Sequence, residues 1–207
     1  MANPWLSVPL SDYEGHMGSD DVRQLAALED LFGEALSHCR PKSVAVLGIA
    51  GGNGLDRVDP AVTHRVVGID CNLSYLDAVR QRYAAIPGLE LHCLDLAERT
   101  VELPPVELVH AALVFEHAGL HRCLDNALAW IAPRGALSAV LQLASETESN
   151  VTPSRFESMQ NLKSHFSLID PAAFRATLEK RSYALKYETR RSLPGGKAFW
   201  MGIFQSP

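Results

Sequence analysis

The sequence predicts an α/β fold: a seven-stranded, mostly parallel sheet with helices on both faces and an antiparallel hairpin at its C-terminal edge. Three observations carry that reading. Short apolar, β-branched runs alternate with helical periodicity from residue 43 to residue 143, and such alternation demands parallel strands joined by right-handed crossovers. The alternation breaks near residue 180, where two strand-like runs are joined by so short a Pro-Gly-Gly link that only a hairpin fits. The first strand-like run leads straight into a glycine cluster, which lets the backbone turn sharply and approach a ligand without Cβ obstruction.

The elements follow in order. From Asp21 the residues Val22, Leu25, Leu28, Leu31, Phe32, Ala35 and Leu36 recur at three- and four-residue spacing, Ser19 or Asp20 can cap the start, and Arg40-Pro41 stops the helix. Ser43 to Gly48 is a continuous apolar run suited to a buried strand. Between Gly54 and His64 only a short helix fits, because Pro60 interrupts it. Arg65 to Asp70 is a strand, and Leu73 to Ala85 a helix ended by Pro87-Gly88. Leu89 to Leu94 and Val106 to Phe115 are strands, Leu120 to Ile131 a helix, Pro133-Arg134-Gly135 a turn, and Ala136 to Leu143 a strand. A helix over 171–180 precedes the runs Tyr183 to Arg190 and Ala198 to Gln205, which place an antiparallel strand at the edge. No composition shift marks a linker, so residues 1–207 read as a single domain.

A chain of 207 residues buries roughly 70% of the surface its unfolded form exposes, and 47% hydrophobic with 21% charged residues is ordinary for a globular protein. Nineteen Lys and Arg against 24 Asp and Glu give a net charge of −5, which offers no general footprint for nucleic acid. The densest basic group, Lys180, Arg181, Lys186, Arg190, Arg191 and Lys197, reads as the solvated face of one helix and the hairpin. Cys39, Cys71, Cys93 and Cys123 have no metal-ligand spacing, so no metal is expected, and Cys71 and Cys93 read as small hydrophobes. No signal-peptide pattern and no apolar run of about 18 residues occurs, so a cytoplasmic location without a membrane span is expected.

In a doubly wound sheet the ligand crevice lies at the carboxyl ends of the strands, where strand order reverses. The glycine cluster belongs there. Asp70 ends the next strand, 16 residues after Gly54, where an acid can accept hydrogen bonds from ribose hydroxyls. Asp95 ends the strand after that, placed to accept from the amino group of an adenine. The dinucleotide spacing G-x-G-x-x-G fails in both registers, ending on Asn53 from Gly48 and on Arg57 from Gly52.

The run Ala50-Gly51-Gly52-Asn53-Gly54 resembles instead the glycine motif of class I S-adenosylmethionine-dependent methyltransferases. The resemblance extends through Arg65 to Asp70, Leu94-Asp95-Leu96, Leu108 to His117 and Ala132 to Gly135, nearly the whole chain. It implies a Rossmann-like fold, S-adenosyl-L-methionine as cofactor, and methyl transfer to a small-molecule acceptor. It also implies cofactor contacts from Gly48, Ala50, Gly51, Gly52, Asn53, Gly54, Asp70, Cys71, Asn72, Asp95, Leu96 and Leu113. Two positions depart from the family. Gly48 stands where an acid is usual, and Asn53 or an N-terminal residue is expected to replace its contact. Ala50 stands where glycine is usual, which is tolerable at negative φ.

Three segments bear on the acceptor. Asp12 to Met17 reads either as a lid, with Tyr13 and Met17 over the cofactor and Glu14 or His16 facing the substrate, or as a tail. Glu116-His117 follows the fourth strand on the methyl side, where His117 can act as a general base with Glu116 beside it, or the two form a hydrogen-bonded pair that fixes the loop. His92 and His110 read as satisfied residues within strands. Residues 145–166 carry Phe156, Met159 and Leu162 at helical spacing and read as a pocket wall or a plain packed helix. Two alternatives stand beside methyl transfer. A nicotinamide-dependent oxidoreductase is disfavoured by the glycine register, and a non-catalytic domain binding adenosylmethionine or adenosylhomocysteine is favoured by Gly48.

Overall fold

A computed structural model of the chain describes residues 3–145, 150–153 and 155–207. Among them, strands β1 (Ser43–Leu47), β2 (Arg65–Asp70), β3 (Leu89–Cys93), β4 (Val106–Ala112), β5 (Ile131–Gln142), β6 (Ala184–Ser192) and β7 (Ala198–Gln205) form one sheet in the order β3-β2-β1-β4-β5-β7-β6. The first five strands run parallel, and β7 runs antiparallel to both β5 and β6. Strand order reverses between β1 and β4, so a crevice opens at their carboxyl ends.

The helices are α1 (Leu10–Met17), α2 (Gln24–Cys39), α3 (Leu73–Arg82), α4 (Phe115–Ala118), α5 (Arg122–Ala129), α6 (Glu157–Gln160) and α7 (Pro171–Glu179). Leu31, Phe32 and Ala35 of α2 and Leu76 and Val79 of α3 pack with Val44 and Val46 of β1 on one face. Leu124 and Ala127 of α5 and Phe174 and Leu178 of α7 pack with Ala45 and Leu47 on the other. Successive residues of β1 thus alternate between two cores, and an uninterrupted apolar run is what burial on both faces requires.

The structure moves several expected boundaries. Helix α2 starts at Gln24, not Asp21, because Val22 and Arg23 donate to the Ser19 carbonyl and close a turn first. Strand β4 stops at Ala112, since Leu113 takes a left-handed φ of 57° and Phe115 opens α4. Residues 133–135 are no separate turn: they lie inside β5 as an irregularity, where pairing jumps from Val106 with Ile131 to Leu108 with Ala136. The β1–β2 crossover carries only a 3-10 turn, Leu55–Arg57. The antiparallel strand is one in from the edge: β7 is buried along nearly its whole length and needs cover on both sides. Strand β6, half exposed and bearing Lys186 and Arg190, takes the edge that charged residues protect.

The basic group is not one solvated face. Lys197 is 4% exposed, and its Nζ donates to the Asn150 carbonyl at 3.0 Å and to Thr152 Oγ1 at 2.7 Å. Arg191 lies against Glu34 and Asp30, and Arg181 against Asp125. Cys93 is exposed and donates to the half-buried Cys71's carbonyl rather than filling a core. His110 is buried and bonded to Ser138 Oγ at 3.1 Å. Among the described residues no helix is long and apolar enough to cross a membrane.

Candidate functional site

The crevice begins with the loop after β1. Gly48, Ala50 and Gly52 all take positive φ (62°, 46° and 87°), so the chain coils tightly enough to aim its amides at β2. The Ala50 N–H donates to Asp70 Oδ2 and the Asn72 N–H to Asp70 Oδ1, both at 2.9 Å. Asp70 is 8% exposed, and burial raises its carboxyl above the usual range while these two bonds pull the other way. The sequence reading of Ala50 needed negative φ. The left-handed value is strain on an L-residue, held in place by the bond to Asp70.

The rest of the glycine run faces away from the crevice. The space a Cβ would need at Gly51 is filled by Glu14 and Arg82, at Gly52 by Tyr83, and at Gly54 by Phe32. Asn53 donates from Nδ2 to the Leu25 carbonyl at 2.9 Å and so ties the loop to α2. It does not stand in for the acid missing at Gly48. Asn72 likewise serves structure, capping α3 through Oδ1 and donating from Nδ2 to the Trp5 carbonyl at 3.0 Å.

The crevice is a cavity of about 370 Å³. Of the sequence-predicted residues, Tyr13, Met17, Gly48, Ala50, Asp70, Cys71, Asp95, Leu96, Leu113 and His117 line it; Gly51, Gly52, Asn53, Gly54, Asn72 and Glu116 do not. Asp95 already has two partners, Ala97 N–H at 2.9 Å on Oδ1 and Asn3 Nδ2 at 2.7 Å on Oδ2. Sequence reasoning passed over Trp5, Gln24 and Gln142, which also line it, while His165 and Phe166 line it from the 145–166 segment read as a pocket wall or a packed helix. A tryptophan in a presumed tail and a glutamine closing an apolar strand are the signals that mark two of them.

The N-terminal segment packs against the body. Val8 is 2% exposed, its carbonyl accepts from Tyr75 Oη at 2.9 Å, and Asp12 Oδ2 accepts from Ser158 Oγ at 2.7 Å. Glu14 forms a two-oxygen ion pair with Arg82, so it points away from the cavity, whereas His16 lines it. Burial raises the Tyr13 phenol far above its ordinary value, with Asp70 and Glu14 adding to it. In the 145–166 segment, residues 146–149 and 154 lie outside the described residues. The remainder is a single helical turn, α6, and a 3-10 turn, which bury Met159 and Leu162 against Val8 at the cavity wall.

Glu116 and His117 point to different places and share no hydrogen bond among the described residues. The His117 ring sits edge-to-face between Trp5 (4.9 Å) and Phe166 (5.0 Å), with Nδ1 buried and unpartnered. Burial first, then His165, lowers it to about 4, so it is neutral and weakly basic at pH 7. Glu116 is 2% exposed behind the cavity, and its Oε1 accepts from the Gln142 N–H at 2.8 Å. Burial raises its carboxyl to about 7. A carboxyl with a raised folded-state pKa stabilises fully below its unfolded value, and that contribution is lost as pH rises through about 7. Glu116→Gln keeps an oxygen for Gln142 and cannot ionise. Urea melts are expected to show it gaining on wild type by about 1 kcal/mol per pH unit between about pH 5 and 7.

No protein-family model and no curated protein sequence matches the chain. Solved structures do. The N-methyltransferase NodS from Bradyrhizobium japonicum WM9, in complex with S-adenosyl-L-homocysteine, aligns over 100% of both chains with TM-score 0.70 and 15% identity. Magnesium protoporphyrin IX methyltransferase (ChlM) from Synechocystis PCC 6803, with S-adenosylhomocysteine bound, aligns over 98% of this chain and 96% of its own with TM-score 0.73 and 12% identity. The [4+2]-cyclase SpnF aligns over 90% of this chain and 82% of its own, with TM-score 0.67 and 10% identity. These likenesses establish the fold, a Rossmann-like sheet shared with S-adenosylmethionine-dependent methyltransferases.

Proposed function

We propose that this chain, built on the class I methyltransferase fold, binds S-adenosyl-L-methionine and transfers its methyl group to a small molecule. One observation carries the reading: Asp70 and Asp95, at the carboxyl ends of neighbouring strands, line a single cavity at the switch point beneath a glycine loop. The donor chemistry fits. Each Asp70 oxygen accepts one backbone N–H and keeps lone-pair capacity for a ribose hydroxyl. Cys71, Leu96 and Leu113 offer walls for the adenine, and Asp95 an acceptor for its amino group once Asn3 yields. Trp5, Tyr13 and Met17 cover the site from the N-terminal side. A volume of about 370 Å³ falls low in the range of small-ligand pockets, which suits a cofactor with a small acceptor.

The cofactor's sulfonium supplies a good leaving group, so the work of the protein is to bind, orient and exclude water. Free cysteines throughout fit a reducing compartment such as the cytoplasm, and the net charge of −5 gives nucleic acid little to hold. Gly48 favours one second reading, a chain that binds adenosylmethionine or adenosylhomocysteine without transferring.

A thermal-shift panel tests the proposal. Ligand at about 100 times its Kd stabilises by about 2.7 kcal/mol, so S-adenosylmethionine and S-adenosylhomocysteine should raise the melting temperature while NAD and NADH should not. A shift with NADH alone would overturn it.

A further inference from the structure

His16 is 3% exposed and lines the cavity from the last turn of α1. Neither ring nitrogen has a hydrogen-bond partner among the described residues, and Nδ1 is shut away from solvent altogether. Nδ1 is out of reach of anything in the cavity, so Nε2 is the ring atom left to meet a polar atom of a bound ligand. A hydroxyl suits it, because it can donate to one imidazole tautomer and accept from the other. Burial and the charge of Lys197 hold the ring below its ordinary pKa, so it stands neutral at pH 7 and able to take a proton.

The surroundings define the rest of the ligand. The edge-to-face row Trp5, His117, Phe166 lines the cavity with aromatic surface, and Met159 and Leu162, both under 4% exposed, line it too. The carboxylates lining the cavity among the described residues are Asp70, the last residue of β2, and Asp95 and Glu98, beyond the end of β3. A planar apolar body bearing one hydroxyl suits a cavity that Trp5, Phe166, Met159 and Leu162 line together with His16.

We infer that the acceptor is a small aromatic alcohol whose hydroxyl is held by His16, and that His16 takes its proton. The inference rests on the methyl-transfer reading above. In that step the acceptor oxygen forms its bond to the methyl carbon as its proton passes to the imidazole. The carbon–sulfur bond breaks with its electron pair left on sulfur, and the imidazolium later returns the proton to water. His117 is the lesser candidate: its ring is clamped between two aromatic side chains.

The test uses the full chain saturated with S-adenosylhomocysteine and the probe 4-nitrophenol, whose neutral and ionised forms differ in absorption. Wild type, and the exposed-site control His121→Gln, should bind the probe and shift it toward the ionised form. His16→Gln, which hydrogen-bonds but is a far poorer proton acceptor, should bind within a few-fold of wild type and leave the probe neutral. His16→Phe should bind it about tenfold more weakly or worse. Calorimetry with S-adenosylhomocysteine should give the same affinity for all four proteins. If wild type takes up the homocysteine but not the probe, or if His16→Gln ionises it as wild type does, the inference falls and methyl transfer stands. Failure of wild type to bind S-adenosylhomocysteine overturns both.

Discussion

Asp70→Ala is expected to weaken S-adenosylhomocysteine binding at least about tenfold and to lower the melting temperature of the ligand-free chain. The two effects have separate causes. In the free protein the carboxylate accepts from the buried Ala50 and Asn72 amides, and each amide left unsatisfied costs about 1–3 kcal/mol. Ala50 also loses the bond that holds it at a φ of 46°, so the loop loses its aim. With ligand, each charge-assisted bond to a ribose hydroxyl is worth about 1.5–3 kcal/mol. Asp70→Asn separates the causes: it keeps one acceptor oxygen for the loop, offers the ribose no charge, and should fall between alanine and wild type in both assays. Calorimetry and thermal melts on the pair decide the matter. Binding and melting like wild type in the alanine variant would show that the loop and strand cradle no adenosine.

Removing residues 1–17 should cost cofactor affinity by about tenfold or more, and stability with it. Trp5, Tyr13 and Met17, which cover the cofactor site, disappear from the cavity wall together. Val8 and Met17, 2% and 6% exposed, leave apolar surface on the body that faced them, and Tyr75 loses the carbonyl its hydroxyl donates to. The seven strands lie outside the deletion, so far-UV circular dichroism of the free protein should keep its α/β character at low temperature while the melt moves down. Trp5→Ala is the gentler companion. It opens the wall beside His117 but leaves α1 in place, so it should lower affinity with a smaller loss of stability. Unchanged affinity in both variants would mean that this segment covers nothing that binds.

What the sequence by itself determined are the features written in local pattern. The bounds of β2 and the span of β7 are as read, because apolar runs closed by turn residues state where a strand begins and ends. The Pro-Gly-Gly link determined the hairpin, and the glycine cluster after β1 followed by Asp70 located the crevice, since chain order alone puts those residues at strand ends. Only the tertiary structure decided which way they face. Gly51, Gly52 and Gly54 turned out to make room for Glu14, Arg82, Tyr83 and Phe32, and spacing says nothing of what lies behind a loop. Lys197, one of a basic group in sequence, is buried with its Nζ donating to Asn150 and Thr152, 45 and more residues away along the chain. Asn3 reaches Asp95 across 92 residues, Trp5 leans on His117, and His16 ends at the cavity with its ring unpaired. Such placements depend on how the N-terminal segment packs over the finished sheet, and no periodicity in one stretch of chain encodes a contact with another.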